Sequence, residues 1–118
     1  MAVRTLARPE DAGLLEEIAA LVAEPASEEP GRLIARMEHT LTAGYARALA
    51  LEAERLRLER RIASVAADLS HGDATDRSGE LADLSRRASE ADGDLGYLRG
   101  LLGSLRERAR ELRVKPAA

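Results

Sequence analysis

Apolar residues recur at alternating spacings of three and four along most of the chain, with one interruption near its middle. Upstream the series runs Ile34, Met37, Leu41, Gly44, Ala48, Leu51, Arg55, Leu58, Ile62, Val65 and Leu69. Downstream it runs Leu81, Leu84, Ala88, Ala91, Leu95, Leu98, Leu102, Leu105, Ala109 and Leu112. A stripe of that period predicts an amphipathic helix. Two such helices, separated by the turn-forming residues of Ser70 to Leu81, predict an antiparallel pair sharing one seam. The expected fold class is all-α: a long antiparallel coiled-coil hairpin over 28–118 with its tip at about 70–80, preceded by a short helix and linker over 1–27.

Folding the chain about residue 75 sets Gly44 opposite Leu105, Ala48 opposite Leu102, Leu58 opposite Ala91 and Ile62 opposite Ala88, so that large faces small. Arg55, the polar member of the seam, falls near Asp92 and Asp94, and a single charge in a seam commonly fixes its register.

The ends of the helices carry their own signals. Pro9 suits a first helical turn, and Leu14, Leu15, Ile18, Leu21 and Val22 form one apolar stripe behind it. Glu24-Pro25-Ala26-Ser27 breaks that helix, and Ser27 with Glu28, Glu29 and Pro30 reads as a cap and first turn. Past the tip, Asp76 or Ser78 can cap the third helix, with Glu80 in its first turn. Arg106, Arg108, Arg110 and Arg113 crowd its carboxyl end, where the helix dipole favours positive charge.

Two outward features stay outside this scheme. Gly93, Gly96, Gly100 and Gly103 fall on the outer face of the third helix, where each glycine costs up to about 1 kcal/mol against alanine. Leu49, Ala53 and Leu56 make an apolar patch on the second. The stripe of the first helix needs burial, either on one of these patches within the chain or in a homodimer. Leu14, Ile18, Leu49, Leu56, Gly96 and Gly100 are therefore the candidate docking residues.

Composition narrows the functional classes. With two Tyr and no Phe, Trp or Cys in 118 residues, there is neither bulk for a thick core nor material for a disulfide framework or a thiolate metal site. No apolar run approaches the roughly 20 residues of a membrane span, and the amino terminus has no signal-like pattern, so a cytoplasmic protein without a membrane partner is expected. The net charge of −3 is uneven: residues 10–29 are acidic, 55–61 basic and the tip acidic again. The predicted register brings Arg60, Arg61, Arg86 and Arg87 to one level as a positive collar, which ordinary salt bridging along the helices would equally explain.

Chemistry, if present, belongs at the tip. Asp73 and Asp76, three residues apart on a tight turn, can point the same way, but Mg²⁺ wants about six oxygen ligands. Such a pair is useful only where another protein supplies the rest of the site. The structural alternative is that Asp, Gly, Ser and Thr are simply what a turn prefers. His71 and His39 lack the companions of a histidine metal set, and no nucleophile with a base is present, so the chain is not expected to be an enzyme itself.

The segment His71-Gly72-Asp73-Ala74-Thr75-Asp76 resembles the His-Gly-Asp-x-Ser-Glu tip of the Gre-family transcript cleavage factors, with Thr75 in place of serine and Asp76 in place of glutamate. Upstream, Leu41-Thr42-Ala43-Gly44-Tyr45 is similar to the Leu-Thr-x-x-Gly-Tyr opening of the Gre hairpin, one residue shorter. The acidic tip also resembles that of the DksA family and those of Gre homologues that inhibit polymerase. The resemblance covers about residues 40–113. It implies a bacterial RNA polymerase-binding regulator whose hairpin enters the secondary channel. Asp73 and Asp76, with Thr75 beside them, would help bind the polymerase's catalytic Mg²⁺, a metal shared with the enzyme and not held by the chain alone. Stimulated cleavage and inhibition both follow from such a tip. The resemblance also gives Arg60, Arg61, Arg86 and Arg87 a role as a patch facing nascent RNA. The family's carboxyl-terminal globular domain has no counterpart in the sequence, so the amino-terminal helix is expected to supply or shape a polymerase contact in its place. The competing class is a structural or adaptor coiled coil that binds a partner helix through its outer Gly and Leu faces.

Overall fold

The computed structural model describes residues 9–70 and 74–114, apart from the side chains of residues 9, 10 and 74–76. These residues form three helices, α1 (Pro9–Ala23), α2 (Pro30–Leu69) and α3 (Ala74–Val114), and no strand. The protein is an all-α helical hairpin with an additional amino-terminal helix. It divides into two compact units: one takes the residues up to Ala48 together with those from Gly96 onward, and the other is Leu49–Leu95.

The first unit packs α1 against the early part of α2 and the late part of α3. Leu15, Ile18 and Leu21 of α1 are fully buried, as are Met37, Leu98 and Leu105. Polar contacts set the direction of α1. Asp11 pairs with Arg47, Glu17 accepts a 3.0 Å hydrogen bond from the Thr40 hydroxyl, and Glu24 lies 3.9 Å from Arg36. Positions that rise along α1 thus meet positions that fall along α2, which makes the two helices antiparallel. Arg108 Nη2 donates to the carbonyl of Glu24 at 3.2 Å, satisfying an acceptor left open where α1 ends. An arginine expected to serve the dipole of its own helix serves the end of a neighbouring one.

The stripe on α1 is therefore used inside this unit, and Ile18 offers nothing to a partner. It covers neither of the patches expected for it: Leu49 and Leu56 stay 68% and 42% exposed, and a Cβ built at Gly96, Gly100 or Gly103 meets nothing within 4 Å. A groove between two apolar helix flanks buries both sides of the stripe, whereas a single outer ridge would bury only one.

The second unit is a two-helix pair. Leu58, Val65, Leu84 and Ala91 form its core, with Ile62, Leu81 and Ala88 packed against them. Val65 alone of these is fully buried, because two helices cannot enclose a side chain as completely as three. Arg55 sits in the seam as expected and reaches Asp92 at 2.9 Å. That hydrogen bond, followed by the Glu59 and Asp92 charges, holds the Arg55 guanidinium pKa above its ordinary value.

Two details expected from the sequence change. In the first unit the atoms nearest a Cβ at Gly44 belong to Leu102, one helical turn short of Leu105. At the tip, α3 starts at Ala74, so Asp76 and Ser78 lie inside the helix instead of capping it. At the start of α2, Ser27 Oγ accepts from the Glu29 amide at 3.0 Å, while the Glu29 carbonyl accepts the first bonds from Arg32 and Leu33. Glu29 is thus the capping position and Pro30 the first helical residue, where a missing N–H costs nothing.

Gly44 is a glycine that packing requires. A side chain there overlaps Leu102, which is itself 1% exposed, so Gly44→Leu is expected to cost about 1–3 kcal/mol of unfolding free energy. Gly96→Ala, built into open space, is expected to gain about 0.5–1 kcal/mol. Urea unfolding followed by circular dichroism measures both, and equal effects at the two positions would contradict the packing.

Candidate functional site

The helices of the second unit approach the turn at Leu69 and leave it at Ala74. His71, Gly72 and Asp73 lie outside the described residues, and Thr75 and Asp76 fall in the first turn of α3. The described part of the segment that carries the candidate chemistry is thus the opening of a helix.

Immediately behind it, arginines tie the two helices together. Arg77 lies 3.7 Å from Asp68 on α2 and donates to Glu80 at 3.2 Å, and Glu80 also accepts a 2.6 Å bond from Arg61. The Arg61 hydrogen bond first, and the Arg61 and Arg77 charges after it, hold the Glu80 carboxyl below its ordinary pKa. The sequence pattern marks Glu80 only as a first-turn residue and passes over Asp68 and Arg77. Their opposite charges on either side of the turn were the available signal.

The predicted collar is divided by these pairs. Arg61 is engaged with Glu80, and Arg86 bonds Asp83 at 2.6 Å and Glu90 at 2.9 Å on its own helix. Those two bonds, Asp83 first, raise the Arg86 pKa. Arg60 and Arg87 are exposed and make no ion pair among the described residues; Arg57 has the same status and belongs with them. Arg57, Arg61 and Arg87 border an open hollow of about 560 Å³, with Glu54, Glu80 and Asp83 on its other sides. The collar's uncompensated cations are Arg57, Arg60 and Arg87.

Of the docking residues, Leu14 is half-buried, Ile18 is fully buried, and Leu49, Leu56, Gly96 and Gly100 face solvent. Among the described residues no three His, Asp or Glu side chains are grouped to hold a metal ion, and no helix is long and apolar enough to cross a membrane.

Comparison with known proteins finds no matching family model, no matching curated protein and no matching solved structure.

Proposed function

We propose that the protein is a regulator of bacterial RNA polymerase that inserts its helical hairpin into the secondary channel and brings Asp73 and Asp76 to the polymerase active centre. The observation that carries the reading is the tip: His71-Gly72-Asp73-Ala74-Thr75-Asp76 follows the 40-residue helix α2 in sequence and runs into the first turn of the 41-residue helix α3. Helices of that length give reach, and the Arg77, Asp68, Glu80 and Arg61 pairs behind the tip support its position against rotation of one helix past the other.

In this reading the chain does no chemistry alone. The Asp73 and Asp76 carboxylates complete a ligand set that the polymerase and its bound water begin, and the Thr75 hydroxyl offers a hydrogen bond beside them. A second Mg²⁺ bound there supplies Lewis acidity and a more acidic water. Farther back, Arg57, Arg60 and Arg87 face outward along the stalk and meet RNA phosphates, so the interaction weakens as salt rises.

The test is RNA release from a purified, backtracked bacterial elongation complex in Mg²⁺, with and without the protein. A changed rate of cleavage is expected: faster if the tip completes the metal site, slower if it fills the channel without doing so. An unchanged rate, with no binding to the polymerase, would remove the reading.

A further inference from the structure

Toward the tip of the second unit, apolar packing runs out before the helices do. The last buried apolar side chains there are Val65 on α2 and Leu84 on α3, and Leu69 and Leu81 beyond them are half-buried. Charge crosses between the helices where that packing thins. The Glu80 carboxylate accepts bonds of 2.6 Å from Arg61 of α2 and 3.2 Å from Arg77 of its own helix, and Arg77 lies 3.7 Å from Asp68 near the end of α2. Arg61 and Asp68, seven residues apart, share one face of α2 with roughly 10 Å between them along the axis, while Arg77 and Glu80, three apart, share one face of α3. Two splayed struts thus meet in one pair. A single exposed ion pair contributes little, but charges that share partners restrain one another, and Glu80 is the carboxylate that both arginines reach.

We infer that Glu80 is a positioning residue for the tip: directly through Arg61, and through Arg77 to Asp68, it fixes the height and rotation of the first turn of α3 against the end of α2. That turn carries Thr75 and Asp76. One strut resists sliding of α3 along α2, and a second at another height resists its rotation. Glu80 touches no metal and no RNA in this role; it acts through the direction of the helix that follows the connection. The inference rests on the polymerase reading for what the turn is held in place to do, whereas the clamp itself belongs to the free protein. A group that must meet a metal site assembled by another protein is sensitive to such restraint, because small misplacements of a reacting group cost rate steeply.

Two measurements on the full chain test it. By amide hydrogen exchange, Glu80→Gln is expected to speed exchange about three- to tenfold at residues 78–81 and also at residues 65–69 of α2, with no change around Ala91. A carboxylate that only favoured the amino-terminal dipole of α3 would leave residues 65–69 unmoved. Arg61→Gln should give the same pattern, and the double variant should exceed neither single one by much, since both remove the same strut. In the backtracked elongation complex, Glu80→Gln is expected to bind polymerase like the wild type while its effect on RNA release falls about three- to tenfold. Unchanged exchange at residues 65–69, or additive effects of the two variants, would overturn the clamp. Faster exchange with an undiminished effect on RNA release would overturn the positioning role. A wild type that neither binds nor affects the polymerase would remove the polymerase reading and the positioning role with it, and the exchange measurement would then still decide the clamp.

Discussion

If the protein acts on RNA polymerase as proposed, exchanging Asp73 and Asp76 together for asparagine is expected to abolish most of that effect, by on the order of tenfold to a hundredfold or more in RNA release. Asparagine keeps the size and an acceptor oxygen but removes the charge that a hard divalent cation favours. Asp76 falls in the first turn of α3 and Asp73 precedes that helix in sequence, and the exchange keeps side-chain size, so helicity and the proposed binding to the polymerase should be retained. That separation of binding from effect is the informative readout. A variant that binds and acts like the wild type would show that the carboxylates are turn residues only. The single variants are not expected to add up to the double, because ligands of one ion act as a unit.

Ile18→Ala is expected to cost about 2–5 kcal/mol of unfolding free energy, measured by urea titration, and to lower the melting temperature by several degrees. Ile18 is fully buried in the first unit, so its truncation leaves a cavity there. At 15 residues α1 has little helical stability of its own. The loss is therefore bounded by what holds α1 in place, and a larger cavity would be relieved by its undocking. Leu56→Ala, at an exposed position, should stay within about 0.5 kcal/mol. Equal losses at the two positions would contradict the packing of the first unit. The same burial changes how a role for α1 in partner binding has to be tested. Deleting residues 1–27 exposes the apolar face of Met37 and its neighbours, so charge reversal at exposed Glu16 is the cleaner probe.

Much of the architecture could be read from residue order because a helix imposes one period on everything it buries. The spacing of Leu, Ile, Val and Ala located α2 and α3, and Pro9 and Pro30 marked the first turns of α1 and α2. Arg55 found its acidic partner from register alone, since one charge inside an apolar seam has few places to go.

Other features required the packed chain. The alternation of three and four is nearly the same at every turn, so the pattern alone does not say which leucine lies nearest Gly44; in the packed chain it is Leu102. The apolar stripe of α1 had several surfaces to choose from, and only the third dimension showed that the first unit takes it between α2 and α3, with Asp11 on Arg47 and Arg108 on the Glu24 carbonyl. The collar divided for the same reason. Charge along a helix is visible in sequence, but whether an arginine is spent depends on which carboxylate its long side chain reaches, and that set Arg61 and Arg86 apart from Arg57, Arg60 and Arg87. Periodicity determined which elements form and which faces they bury; tertiary contact, where distances of a few ångströms choose among equivalent turns and partners, decided register, docking and free charge.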